Sequence, residues 1–420
     1  MTTTGTTKAW DQRDGMVPSA ELDEGLARLG PVLDLDSHEQ IPVHMWPEVF
    51  GDVGEKAAPI AAGLAHLAEN TQVRDDLVGD LMEITEHTVW QVKGPEAPSA
   101  IDFNRRPAVL DQMGIDRQLV FATFAIFGLH LAYNRNAPTF LQYDPADVDG
   151  PVVGREIVEA HNRWCRDVTK ALPGNRVRPV AVILADSLHQ MMRDSERALA
   201  DGVLGLHIPC GIPPAETSPA DRALDPFWRL AADANVPVLV HLGTEFGLLA
   251  SDRWNANAPE FLPSAGSSVE FTLEPYRGST LSFTTENFLT PMILGGVFER
   301  HPDLRFGVIE CGAQWVGPLA ERLDLWAGQF SARLSSTLSM KPSEYLARNV
   351  RVTPFVFEET DKYIERNPDL VDVFCYSSDF PHREGGRDSK RRFYSRLSRL
   401  GDDVLNKFFL SNGEWIVPAA

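Results

Sequence analysis

Pro31-Val-Leu-Asp-Leu-Asp-Ser-His-Glu39 opens as an apolar run and closes on ionisable side chains. Alternation along a strand puts Asp36 and His38 on one face. A carboxylate or imidazole at the end of a buried strand is costly unless it is paired or bound to a metal. The run therefore reads as a first strand whose end carries chemistry. Seven further β-branched runs alternate with longer helical patterns, at 118–123, 178–184, 203–208, 236–241, 305–310, 350–355 and 371–377. Eight parallel strands with intervening helices predict an α/β fold, a distorted TIM (β/α)8 barrel. Two connections exceed what a crossover needs, at about 45–105 after the first strand and about 245–290 after the fifth. Both follow strand C-termini, where barrels build their sites, so both are expected to act as lids. Residues 31–420 read as one metal-dependent domain, and the polar, Thr-rich residues 1–30 as a mobile N-terminal arm.

Four other predicted strands also end on candidate ligands. These are Gly205-Leu-His207, Leu239-Val-His241, Val308-Ile-Glu310 and Ser377-Ser-Asp379-Phe-Pro-His382. Taken singly, each has a plainer reading as a helix cap or a satisfied core histidine. Their convergence at one barrel end predicts a metal site. The net charge of −20 repels phosphate backbones and anionic membrane surfaces, which argues against nucleic acid and membrane as partners. Cys165, Cys210, Cys311 and Cys375 form no CxxC pair. They fit a reducing cytoplasm rather than a disulfide framework or zinc finger.

The chain resembles the amidohydrolase-related proteins that include the aminocarboxymuconate semialdehyde and resorcylate decarboxylases. The likeness rests on DLDSH at 34–38, GID at 114–116, VPVLVHLG at 236–243, GGVFERHPDLRFGVIECGAQW at 295–315 and SSDFPH at 377–382. It implies that Asp36, His38, His241 and Asp379 hold a divalent metal. One departure matters: Glu310 stands in IECG where those decarboxylases place a histidine. Glu39 and His44, in DSHEQIPVHMW, and His382 are further candidate ligands. Such a carboxylate-rich set with room for two ions favours iron or manganese over a pure zinc site.

Within that family the pattern is most similar to TIM-barrel nonheme diiron monooxygenases of diterpenoid antibiotic biosynthesis. That similarity implies two iron ions, dioxygen, a separate electron-donating reductase and hydroxylation of an unactivated C–H bond on a CoA-linked substrate. Glu39, Glu310 and His207 are then the catalytic candidates. The alternative is a zinc or manganese hydrolase or nonoxidative decarboxylase with His207 or His382 handling protons. The basic run after the eighth strand offers Arg387, Lys390, Arg391 and Arg392 to a phosphate-bearing substrate. Trp90, Phe124, Phe127 and Trp254 are candidates to line an apolar pocket, against a plainer reading as core. The resemblance also implies a homodimer.

Overall fold

The computed structural model describes residues 20–66, 73, 80–172, 174–246, 248, 254–261 and 274–419. Its strands are β1 (Val32–Asp34), β2 (Ile115–Val120), β3 (Val177–Pro179), β4 (Ala181–Val182), β5 (Leu206–His207), β6 (Val238–His241), β7 (Phe306–Ile309) and β8 (Val350–Val352). All pairings are parallel, in the orders β1-β2-β3 and β4-β5-β6-β7-β8. The predicted strand at 178–184 thus appears as two short pieces that share one course. Pro179 has no N–H to donate. Val180 N donates back to Val120 O, and Ala181 N turns to Gly205 O on the other neighbour.

The predicted strand at 371–377 differs more. Pro368–Val373 is a 3-10 helix, and only the segment after it is extended. That segment still closes the ring: Cys375 N donates to Val352 O on one side and Leu35 N to Tyr376 O on the other, with bridges at Val352/Phe374 and Ser37/Phe380. The result is an α/β barrel of parallel strands. Leu33, Leu119, Phe121, Val180, Leu239 and Ile309 pack its interior, and Ile416 near the C-terminus joins them. A larger apolar layer lies between strands and helices, centred on residues such as Trp228, Phe298, Phe306 and Tyr345.

The first long connection is a packed layer where it is described. Trp46, Phe50 and Ile60 bury against Phe124, Phe127 and Ile157, with the Phe50 and Phe124 rings stacked at 3.8 Å. Much of 67–79 and of 247–273, within the two predicted lids, lies outside the described residues. So do residues 1–19 of the predicted arm. Residues Ala20–Leu29 form a helix tied to the C-terminal part of the chain through the Asp23–Arg391 ion pair.

Candidate metal centre

The site assembles where β1, β6, β7 and the ring-closing segment end. The chain leaves β1 through a tight set of backbone bonds: His38 N donates to Phe380 O at 2.8 Å, and Asp379 N to Asp36 O at 2.9 Å. These fix the two loops that carry Asp36, His38, Asp379 and His382 against each other. Glu310 and Asp379 both sit at positive φ, 57° and 48°. Non-glycine residues held there mark places where surrounding structure dictates side-chain direction. Thr353 supplies part of that hold, its Oγ1 accepting from Glu310 N at 2.9 Å.

Two overlapping groups emerge, Asp36/His38/His241/Glu310 and His38/Glu310/Asp379/His382, each with its ligand atoms within 4.8 Å of one another. His38 Nε2 lies 3.3 Å from Asp36 Oδ1 and 3.6 Å from Asp379 Oδ1. His241 Nε2 lies 3.4 Å from both Asp36 Oδ1 and Glu310 Oε2. His382 Nδ1 is 3.1 Å from Asp379 Oδ1, and its ring stacks on His38 at 3.8 Å. All six residues are buried.

Burial, reinforced by His382, pushes His38 well below the ordinary histidine value, and burial holds His382 at about 4. Both rings are therefore neutral with a lone pair to give. Burial pulls His241 down most, but its bond to Asp36, the Asp36 charge, the Leu242 carbonyl and Asp379 together carry it above the usual value. Burial would raise Asp36, yet His241 and His38 bring it to about 2. Asp379 goes well above the carboxylate range through burial and then the nearby Asp36 and Glu384 charges. His241 Nδ1 donates to Leu242 O at 2.8 Å, so Nε2, which faces Asp36, is the nitrogen that would ligate a metal once the ion takes the place of its proton.

A divalent cation fits this donor set. His38, His382, Asp36 Oδ2 and Asp379 Oδ1 present buried polar atoms without a hydrogen-bond partner. Such groups cost roughly 1–3 kcal/mol each when left unsatisfied. Neutral imidazoles mixed with carboxylates are the donors that divalent ions take.

Other predicted site residues lie elsewhere. Glu39 is buried, but Oε1 accepts from Thr123 N at 2.9 Å and Phe124 N at 2.7 Å. It caps the helix Phe124–Tyr133, whose free N–H groups claim it, and does not join either ligand group. His44 is exposed on a short 3-10 turn and cannot reach a buried cluster. His207 is fully buried with neither ring nitrogen bonded, its ring 6.1 Å from that of His241.

None of the basic quartet lines the cavity over the cluster. Lys390 Nζ reaches Gly114 O at 3.3 Å at the end of the helix Arg106–Met113. Arg391 pairs with Asp23, Arg387 is exposed and Arg392 is partly buried. Lys390 and Arg391 instead line a separate cavity of about 520 Å³ with Asp23, Glu86, Asp111 and Asp388. Phe124 and Phe127 are core, Trp254 is 75% exposed, and Trp90 faces that separate cavity.

Two residues that the sequence reading passed over support the site. Asp34 accepts from Ser378 N at 2.7 Å, Ser378 Oγ at 2.6 Å and Gln118 Nε2 at 2.7 Å, and so ties the Asp379 loop to β1 and β2. Fully buried Arg106 donates to His38 O at 2.9 Å and Gln118 Oε1 at 2.9 Å. The alternation that pairs Asp36 with His38 includes Asp34 and signalled it. Arg106 has no signal in linear sequence.

Two overlapping groups of candidate metal ligands at the end of a parallel α/β barrel fit the class of metal-dependent barrel proteins. The chain belongs to the Amidohydrolase family, whose sequence model matches residues 134–414. No curated protein matches it significantly. Among solved structures it is similar to an amidohydrolase from Mycobacterium avium subsp. paratuberculosis K-10, with 18% identity and a TM-score of 0.62 over 92% of this chain and 99% of that one. It is also similar to a 5-carboxyvanillate decarboxylase from Novosphingobium aromaticivorans with bound manganese, with 17% identity and a TM-score of 0.56 over 92% and 97%. A 2,6-dihydroxybenzoate decarboxylase from Rhizobium gives 14% identity and a TM-score of 0.55 over 92% and 98%.

The expectation of an oxygen-dependent diiron hydroxylase of antibiotic biosynthesis is corrected by these findings. The family is one of amidohydrolases, and the neighbours are named as an amidohydrolase and as decarboxylases. Glu39 and His44, nominated as extra ligands for a second iron, are engaged or remote. No helix among the described residues is long and apolar enough to cross a membrane.

Proposed function

We propose that this chain is a hydrolase that works with one divalent metal ion, manganese or zinc. The observation that carries the reading is the Asp36/His38/His241/Glu310 group, four buried donors within 4.8 Å of one another. Asp36, His38, His241 and Glu310 would hold the ion, with Asp379 and His382 of the overlapping group beside it. A divalent ion bound there supplies Lewis acidity toward a polar substrate group. Glu310 stands where the resembling decarboxylases carry a histidine, which favours hydrolysis over their route. His207, neutral by burial and with both nitrogens unengaged, is the proposed proton-handling group. Nonoxidative decarboxylation is the second reading, favoured by the decarboxylases among the solved neighbours.

Dioxygen and a reductase fall with the oxygenase reading, and a CoA thioester loses its anchor in the basic quartet. We retain a homodimer without nucleic-acid or membrane partners, the two long connections as walls over the site, and the cytoplasm as location.

The test is elemental analysis followed by assay of metal-loaded protein in ¹⁸O-labelled water. A panel of neutral esters, lactones and amides is compared with hydroxybenzoates. About one manganese or zinc per chain and ¹⁸O in the product is the expected result. Carbon dioxide release from the hydroxybenzoates without ¹⁸O uptake moves the reading to decarboxylation. Two irons per chain overturn both.

A further inference from the structure

The cavity over the metal cluster has an unusual wall. Four of its lining residues are carboxylates, Asp36, Glu310, Asp379 and Glu384, and no lysine or arginine among the described residues lines it. Pro354, Phe355 and Val356 form its apolar side. Phe357, stacked on Phe355 at 5.2 Å, extends that side to the surface with 53% exposure.

Glu384 differs from the other three acids. It belongs to neither ligand group. Both its oxygens are buried and accept no hydrogen bond, so nothing in the protein offsets them by direct contact. A local glycine pair puts it there. A Cβ on Gly385 would fall 2.2 Å from Ser378 O and 2.9 Å from Asp379 Cβ, so only glycine lets this loop lie on the Asp379 turn. Gly386 follows at φ +69°, close to Val356. The glycines after Glu384 thus serve backbone packing against the site, and the carboxylate before them is delivered into the cavity. Lys93 interacts electrostatically with Asp379 and Glu384, but it packs over the Phe380 ring at 5.8 Å and is absent from the cavity wall.

A divalent ion held by the ligand groups leaves Glu384, which belongs to neither, facing the cavity without a hydrogen-bond partner. A substrate carboxylate or phosphate entering this space would meet the Glu384 carboxylate in a confined, partly apolar cavity that no lysine or arginine among the described residues lines. There Coulomb repulsion is far less screened than in water. Discrimination of this kind works by penalising the wrong ligand rather than by holding the right one.

We propose that Glu384 is a specificity-determining residue that excludes anionic groups from the metal-site cavity. The substrate then presents a neutral or cationic polar group, carried on an apolar body that lies against Phe355 and Val356. This rests on the reading of the cluster as a metal-dependent active site and narrows its substrate class.

The test uses full-length, metal-loaded protein and two probes of matched shape, benzamide and benzoate, with binding followed by calorimetry. The wild-type chain is expected to bind benzamide at least tenfold more tightly than benzoate. Glu384→Gln is expected to improve benzoate binding about tenfold, with benzamide within twofold and metal content unchanged. Equal or tighter wild-type binding of benzoate overturns the proposal, and this arm does not depend on the variant folding. Failure of benzamide to bind saturably also overturns it, as does a Glu384→Gln protein of normal metal content with unchanged selectivity. Loss of the hydrolase reading shows separately, as absent ¹⁸O incorporation in a protein whose charge selectivity is still measurable.

Discussion

Two acid-rich regions of this barrel look alike in composition and opposite in wiring. Around the cavity formed with the helix Ala20–Leu29, Asp23, Asp388, Lys390 and Arg391 each have a partner in the protein. Asp23 pairs with Arg391, Asp388 accepts from Gln91 at 3.3 Å and Lys390 donates to Gly114 O. Over the barrel mouth, Asp36, Asp379 and Glu310 face histidines at 3.1–3.6 Å, and the His38 and His382 ring nitrogens are buried without a hydrogen-bond partner among the described residues. A fold tolerates the first arrangement as scaffold. The second has donor atoms to give to an added group, because buried polar atoms without partners disfavour the folded state. What separates a site from a charged surface here is the partner left missing, not the number of acids.

The largest effects should come from removing what the mouth lacks or what would hold it. Chelation, or Asp36→Ala or His241→Ala, is expected to strip bound metal and lower turnover by about a thousandfold or more. Elemental analysis and steady-state assay read both. A chain that turns over at wild-type rate without metal would erase the contrast between the two regions.

A smaller but sharper effect belongs to Asp34, which touches no ligand atom of the cluster and yet positions its loops. Its carboxylate takes Ser378 N and Oγ together with Gln118. Asp34→Asn puts an N–H₂ where an acceptor is needed. Metal affinity is expected to weaken about 10–100-fold, as for other residues that orient ligands, with a stability loss of roughly 1–3 kcal/mol. Competition with a chelator reads the first and urea unfolding the second. Unchanged affinity would mean that the loops hold their geometry without Asp34.

Much of this was legible in the chain because period-two apolar runs and their polar ends are local. Asp36, His38, His241, Glu310, Asp379 and His382 were all named from strand ends, and the structure brings all six together. Glu39 misled because adjacency to His38 says nothing of direction. Its neighbour in space is the N-terminus of the helix Phe124–Tyr133, more than 80 residues on. The basic quartet misled for the same reason, since its partners at Asp23 and Gly114 are remote in sequence. The 371–377 run has strand composition, but Pro368 starts a 3-10 turn that uses up its first half.

Glu358 probes the scaffold between these regions through pH. It is 7% exposed and accepts from Ala313 N at 3.0 Å, Gln314 N at 3.1 Å and Phe355 N at 2.7 Å, stitching the loops after β7 and β8. Burial raises its pKa despite those three donors. The folded chain therefore holds this proton more tightly than the unfolded chain. The stability it contributes is present below the ordinary glutamate value and is lost as pH rises through the raised one. Glu358→Gln should flatten that segment of the stability–pH curve, followed by urea midpoints across mildly acidic pH. An unchanged slope would assign it to another group.

The smallest effect should come from the self-satisfied region. Arg391 is 29% and Asp23 54% exposed at the side chain, so their attraction is screened and offset by the ordering of two long side chains. Exposed pairs of this kind contribute about 0.2–1 kcal/mol. Arg391→Ala is expected to lower stability by no more than that and to leave metal content and turnover unchanged. Neither Arg391 nor Asp23 belongs to a ligand group or lines the cavity over the cluster. A tenfold fall in turnover in this variant would show that the two regions are coupled and that the basic run serves the reaction after all.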